Sequence, residues 1–166
     1  AFAAEPRPAP LLAVGYLAAA WGLPWLLGRV YFASAEGRLL LVKGLVVSGL
    51  ACLPFSLIEG ALGPVVYDAV YETHPFRADG AIRYLGFRPL GLFENGNQFG
   101  LWISLSALAA LWLGIASGAA RWRWAAAILV AMALAAQSIG AIALLALGAA
   151  SLWAFGLVRP RLVATG

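Results

Sequence analysis

The chain has 166 residues, 63% of them hydrophobic and only 11% charged, with a mean hydropathy of +0.89. Soluble domains carry about a quarter of their residues as charges, so this composition excludes an ordinary water-soluble domain and predicts an integral membrane protein. The net charge of +4 suits loops facing anionic lipid and gives no case for nucleic acid, while the single cysteine, Cys52, excludes an internal disulfide and a thiolate metal cage.

The uninterrupted apolar runs predict an all-α fold, a polytopic transmembrane helix bundle of about five spans forming a single membrane domain over residues 1–166. The first span is read at 10–28, without a charge, and the second at 39–58, where Lys43 lies close enough to an end to snorkel. Phe32 to Glu36, FASAE, contains an Ala-x-Ala pattern, but the apolar run before it exceeds a signal-peptide core and no basic segment precedes it. A third span is read at 99–120. From Trp124 to Val158 there are 35 residues without a charge, about 52 Å as one helix against a hydrocarbon core of about 30 Å. That length predicts two spans, 122–138 and 139–158, folded at Gln137 to Gly140. Ala1 in first position and an apolar pattern that persists near the far end lead us to expect a piece of a longer polytopic protein.

Basic residues then set the orientation. Arg29, Arg38 and Lys43 flank one loop, Arg121 and Arg123 occupy the next on the same side, and Arg159 and Arg161 follow the last span. Five spans make all three positions cytoplasmic. The loop 60–95, 36 residues long, is then extracytoplasmic and holds most of the acids. Within it, Val65 to Thr73 suits a short amphipathic helix lying at the interface, with Tyr67 and Tyr71 one turn apart. His74 before Pro75 is held extended, and Ala78, Asp79 and Gly80 read as a turn. Gly114 and Gly118 form a GxxxG pair suited to close helix packing.

The polar cluster at the mouth of the third span, FRPLGLFENGNQFG from Phe87 to Gly100, is the strongest local signal. Asn95 is a good N-cap and Gln98 completes a capping-box pattern, which predicts a helix start with its N–H groups outward. Arg88 precedes it by about two helical turns of chain, and a guanidinium beside helix-end N–H groups suits a diphosphate. Glu94 brings a negative charge to the same place, as a cap or an ion-pair partner.

RPLGLFENGNQFG also resembles the Arg-x-x-Gly-x-Phe-x-x-x-Asn pattern of the O-antigen ligase and polymerase superfamily, with Arg88, Gly91, Phe93 and Asn97 in the matching positions. QSIGAIALLAL is similar to that family's Ser-x-Gly-Ala stretch, with Ser138, Gly140 and Ala141 in place and Ile139 where an arginine often stands. The resemblance covers roughly residues 59–157. It implies an inverting transfer of a glycan from undecaprenyl diphosphate to an acceptor glycan or lipid A core at the outer side of a bacterial inner membrane. No cofactor, nucleotide sugar or bound metal is implied. The chemistry requires cations to hold the leaving diphosphate and a base for the acceptor hydroxyl. Arg88, Gly91, Asn95 and Asn97 are the expected substrate-binding residues, with Arg83 and Arg77 as further cations. His74 is the only histidine and a weaker candidate for the base, which the family places in a larger outer loop, here after Gly166. A transporter or channel piece, with Lys43, Glu59 and Pro54 as intramembrane features, and a non-catalytic membrane assembly subunit are the alternative readings.

Overall fold

A computed structural model describes residues 10–71 and 82–163. His74, the weaker candidate for the base, the candidate cation Arg77 and the turn at Ala78 to Gly80 lie outside the described residues. The chain divides by its internal packing into two units, Ala1–Leu41 and Val42–Gly166.

In the first unit, α1 (Pro10–Leu17) continues through a π-helical turn, Ala18–Gly22, into α2 (Leu23–Tyr31). Pro24 has no N–H and would crowd the carbonyl one turn back, and the wider turn just before it takes up that conflict. Arg29 stacks over the Trp25 ring at 5.5 Å. The Ala-x-Ala stretch turns out to be a helix start: Ser34 Oγ accepts the Gly37 N–H at 3.0 Å, which caps α3 (Ala35–Ala51).

A single turn residue, Cys52, separates α3 from α4 (Leu53–Leu62), and Pro54 sits at the second position of α4, where a missing N–H costs little. The stretch from Ala35 to Leu62 is the first of three, among the described residues, long and apolar enough to cross a membrane. Gly63, with φ +87°, ends it. The short helix α5 (Val65–Val70) follows, then a two-stranded hairpin, β1 (Ile82–Arg83) and β2 (Gly86–Phe87), paired antiparallel. Three longer helices close the chain: α6 (Gly96–Ser117), α7 (Ala120–Ala135) and α8 (Ile139–Val163). α6 and the Ile139–Gly156 part of α8 are the other two stretches with membrane-crossing length and composition. α7 has 16 residues, about 24 Å, which is short of a full hydrocarbon core. The fold is thus all-α apart from the hairpin.

α6 is the central element. Its residues Phe99, Ile103, Ala107 and Ala110 recur at helical spacing and are fully buried against Leu129, Ala133 and Ala136 of the α7 segment and Val46 of α3. Small residues let the backbones approach: a Cβ on Gly49 would stand 2.6 Å from Ser106 Cβ, and one on Gly148 2.6 Å from Leu108 Cδ1. The GxxxG expectation needs correcting. Gly114 does lie against Arg123 of α7, but Gly118 is the left-handed C-cap of α6, φ +67°, and touches nothing through its open side. It ends a helix and packs nothing.

Ser106 Cβ is anchored close to its own backbone and cannot swing aside, so Gly49→Ala must push α3 from α6. We expect it to lower stability by about 1–3 kcal/mol. Gly44→Ala, with nothing within 4 Å of its Cβ position, should be neutral or stabilising by up to about 1 kcal/mol. Thermal unfolding in detergent checks the contrast, and equal melting of the two variants would remove this account of the packing.

Candidate functional site

The polar cluster is built on Glu59, in the last turn of α4. Its side chain is 0% exposed and its carboxylate accepts three backbone N–H groups: Tyr67 on Oε1 at 2.7 Å, and Leu90 and Gly91 on Oε2 at 2.7 and 2.6 Å. One buried acid therefore ties the end of α4 to α5 and to the loop that carries Arg88. Gly91 adopts φ +59°, a conformation that favours glycine, and its N–H is committed to Glu59.

α5 turns Tyr67 inward, while Val65, Ala69 and Val70 on the same short helix stay exposed. Tyr67 is fully buried, its hydroxyl donates to the Glu94 carbonyl at 3.2 Å, and the Tyr71 hydroxyl donates to the Leu92 carbonyl at 2.9 Å. The two rings pack 5.0 Å apart. These tyrosines hold the Leu92–Glu94 loop from below.

Asn95 caps α6 as its sequence position predicts, its Oδ1 accepting from Asn97 N and Gln98 N, both at 3.0 Å. This satisfies two of the N–H groups expected to face outward, so the helix end is a weaker anion cradle than the motif suggests. Only the first half of the capping box forms: Gln98 Nε2 donates to Glu94 Oε2 at 3.5 Å instead of the side chain turning back to Asn95.

Arg88 does fold back over the helix start. It is 2% exposed, and its guanidinium lies so close against Gly96 that a Cβ there would overlap it. Nη2 donates to Asn97 Oδ1 at 3.4 Å, a long bond, and the buried Nε has no partner. Burial, and secondly the nearby Arg83, pull its pKa below the ordinary guanidinium value, although an arginine keeps its charge throughout the accessible pH range. Asn97 Oδ1 also accepts from Ser138 Oγ, at 3.2 Å. The two motif segments thus meet at one oxygen, 41 residues apart in sequence for Asn97 and Ser138.

Beside this contact is a pocket of about 440 Å³, lined by Arg83 and Tyr84 from the hairpin, Asn97 and Leu101 from α6, and residues 137–141 with Leu144 from the start of α8. Arg88 stands behind Asn97, outside the lining. Gln137 is the only described non-glycine residue with positive φ, 51°, and its Oε1 accepts the Leu85 N–H at 2.9 Å, latching the hairpin to the α7–α8 turn. Gly91 and Asn95 shape the backbone away from the pocket wall, whereas Arg83 and Asn97 face it. Among the described residues no three His, Cys, Asp or Glu side chains gather as metal ligands would.

Glu59 and Gln137 are the residues that sequence reading undervalued. An acid one turn inside the end of an apolar run is a legible sign of a buried acceptor in need of donors, and charge counting by itself hid it. Comparison with protein-family models, curated proteins and solved structures finds no match to this chain.

Replacing Glu59 by Gln keeps the shape but turns an NH2 group toward a backbone donor, which should cost about 1–3 kcal/mol. Ala leaves all three donors unpaired and should cost more, about 3–5 kcal/mol. Thermal unfolding of the purified protein reads both, and a Glu59→Ala variant that melts with wild type would show that the carboxylate does not organise the loop.

Proposed function

We propose that the chain forms part of a membrane enzyme that transfers a glycan from undecaprenyl diphosphate to an acceptor glycan or lipid A core, with Arg88 and Arg83 serving the diphosphate. The observation that carries this reading is the environment of Arg88. A guanidinium 2% exposed, with Nε unpartnered, lies at the N-terminal turn of α6 and near a second arginine. A helix N-terminus carries partial positive charge, so this placement is unfavourable by itself and improves when an anion is supplied. No carboxylate among the described residues pairs with the guanidinium. The planar fork and the Asn97 side-chain NH2 offer donors of the kind that a diphosphate accepts.

The membrane reading extends the three apolar stretches to five spans. Pro10 to Tyr31 is helical throughout, and α7 reaches both interfaces if the bilayer thins locally and Arg121 and Arg123 snorkel. α6, α7 and α8 alternate in direction, so the starts of α6 and α8 share one side, which the arginine bias makes the extracytoplasmic face of a bacterial inner membrane. The resemblance of RPLGLFENGNQFG and QSIGAIALLAL to O-antigen ligases and polymerases supports the reaction class, and the contact of Arg88 and Ser138 through Asn97 supports treating the two segments as one site. The transport reading loses its intramembrane acid, because the acceptors of Glu59 are spent on backbone N–H groups.

Arg88→Lys keeps the charge without the fork and should lower transfer roughly ten- to a hundredfold, the effect of losing a charge-assisted hydrogen bond of about 1.5–3 kcal/mol. Arg88→Ala should cost more. Gly96→Ala favours the helix itself by up to about 1 kcal/mol but evicts the guanidinium, so it should lower transfer while leaving the amount of folded protein unchanged. The assay is transfer of a labelled lipid-linked glycan in membranes containing the chain, normalised to protein. Equal specific activity in all four proteins would end the diphosphate assignment.

A further inference from the structure

The hairpin over the pocket carries highly exposed apolar residues. Ile82, Tyr84 and Leu85 are 64%, 76% and 85% exposed, which is unusual for a polar loop segment and characteristic of a surface that meets something apolar. Both ends of the hairpin are fixed. The Phe87 ring lies against Gly63, where a Cβ would stand 3.3 Å from it, and the tip is held by the Leu85 N–H to Gln137 bond.

Those ties set its level. Gln137 is two residues before the first residue of α8, and Ser138 is bonded to Asn97, the second residue of α6. The tip therefore stands beside the starts of two helices that each have membrane-crossing length and composition. At that depth the surroundings are the headgroup–acyl boundary, where tyrosine rings and leucine side chains are favoured and turn backbone can still reach water. Arg83, on the same hairpin, lines the pocket and stands at the level of lipid phosphate in this reading.

We propose that the hairpin Ile82–Phe87 is a membrane-contact element, inserting Tyr84 and Leu85 into the leaflet beside the starts of α6 and α8. The occupant of its apolar face is lipid. The proposal rests on the membrane-spanning reading of α6 and α8 and not on glycan transfer.

The test uses the single native cysteine to advantage. In a Cys52→Ser background, Leu85→Cys, Leu147→Cys and Glu94→Cys are each labelled with an environment-sensitive fluorophore and reconstituted into phosphatidylcholine–phosphatidylglycerol nanodiscs. Leu147 is an exposed position further along α8, and Glu94 an exposed loop position. Lipids spin-labelled high on the acyl chain should quench most of the Leu85 signal, lipids labelled near the chain end should quench it less, and the Glu94 label should keep its fluorescence with both. An unquenched Leu147 label overturns the spanning reading and the hairpin proposal together. A quenched Leu147 label with a Leu85 label that matches Glu94 overturns the hairpin proposal alone. A Leu85 label shielded from water but insensitive to spin-labelled lipid also overturns it, showing that protein, such as a second copy, covers the face.

Discussion

The carboxylate of Glu59 is the interaction on which the polar half of this molecule depends. Removing a carboxylate from water costs several kcal/mol, and here three short bonds of 2.6–2.7 Å from Tyr67, Leu90 and Gly91 offset that cost. The donors come from two separate segments, so the acid decides where each stands relative to the end of α4. Arg88 is only two residues from this anchor, and Pro89 between them restricts the backbone further. The guanidinium is thereby delivered to Gly96 by rigid local geometry, with no direct contact from Glu59 to Arg88 needed.

The start of α6 shows how a cap changes the meaning of a motif. An uncapped N-terminus offers several N–H groups to an anion. Asn95 already bonds two of them, so any anion attraction must come mainly from the arginines and from the residual helix dipole. Gly96 has a corresponding role, since it gives the helix a first turn flat enough for the guanidinium to lie on.

Much of this was legible from the residues. Three of the long apolar runs, the N-cap at Asn95 and the return of Arg88 to the helix start follow from local chemistry and are in place. The break read at Gln137 to Gly140 falls at its first two residues, the helix resuming at Ile139. What was not legible depends on partners distant in sequence. Tyr67 and Tyr71 suit an interface by pattern, but hydrogen bonds to carbonyls more than 20 residues away draw them inward. Gly118 fits a packing motif by spacing, yet its left-handed backbone is fixed by the need to end α6. Glu59 reads in the sequence only as an intramembrane charge of the transport alternative, because its three donors are scattered along the chain.

The site is also bound to the helix packing beneath it. Gly100 of α6 faces Ser138 and Ala141, where a Cβ would stand 2.9 and 3.2 Å from theirs, and Ser104 Oγ donates to the Ala141 carbonyl at 3.2 Å. These contacts fix the register of α6 against α8. A slip of one helical turn is about 5.4 Å, far more than the 3.2 Å Ser138–Asn97 bond tolerates. The oxygen that joins Arg88 to Ser138 is therefore held in place by residues one turn deeper in the apolar part. Enlarging Gly100 presses directly on Ser138 and Ala141 in the pocket wall, whereas removing the Ser104 hydroxyl acts on the pocket through the register in which the two helices present Asn97 and Ser138 to each other.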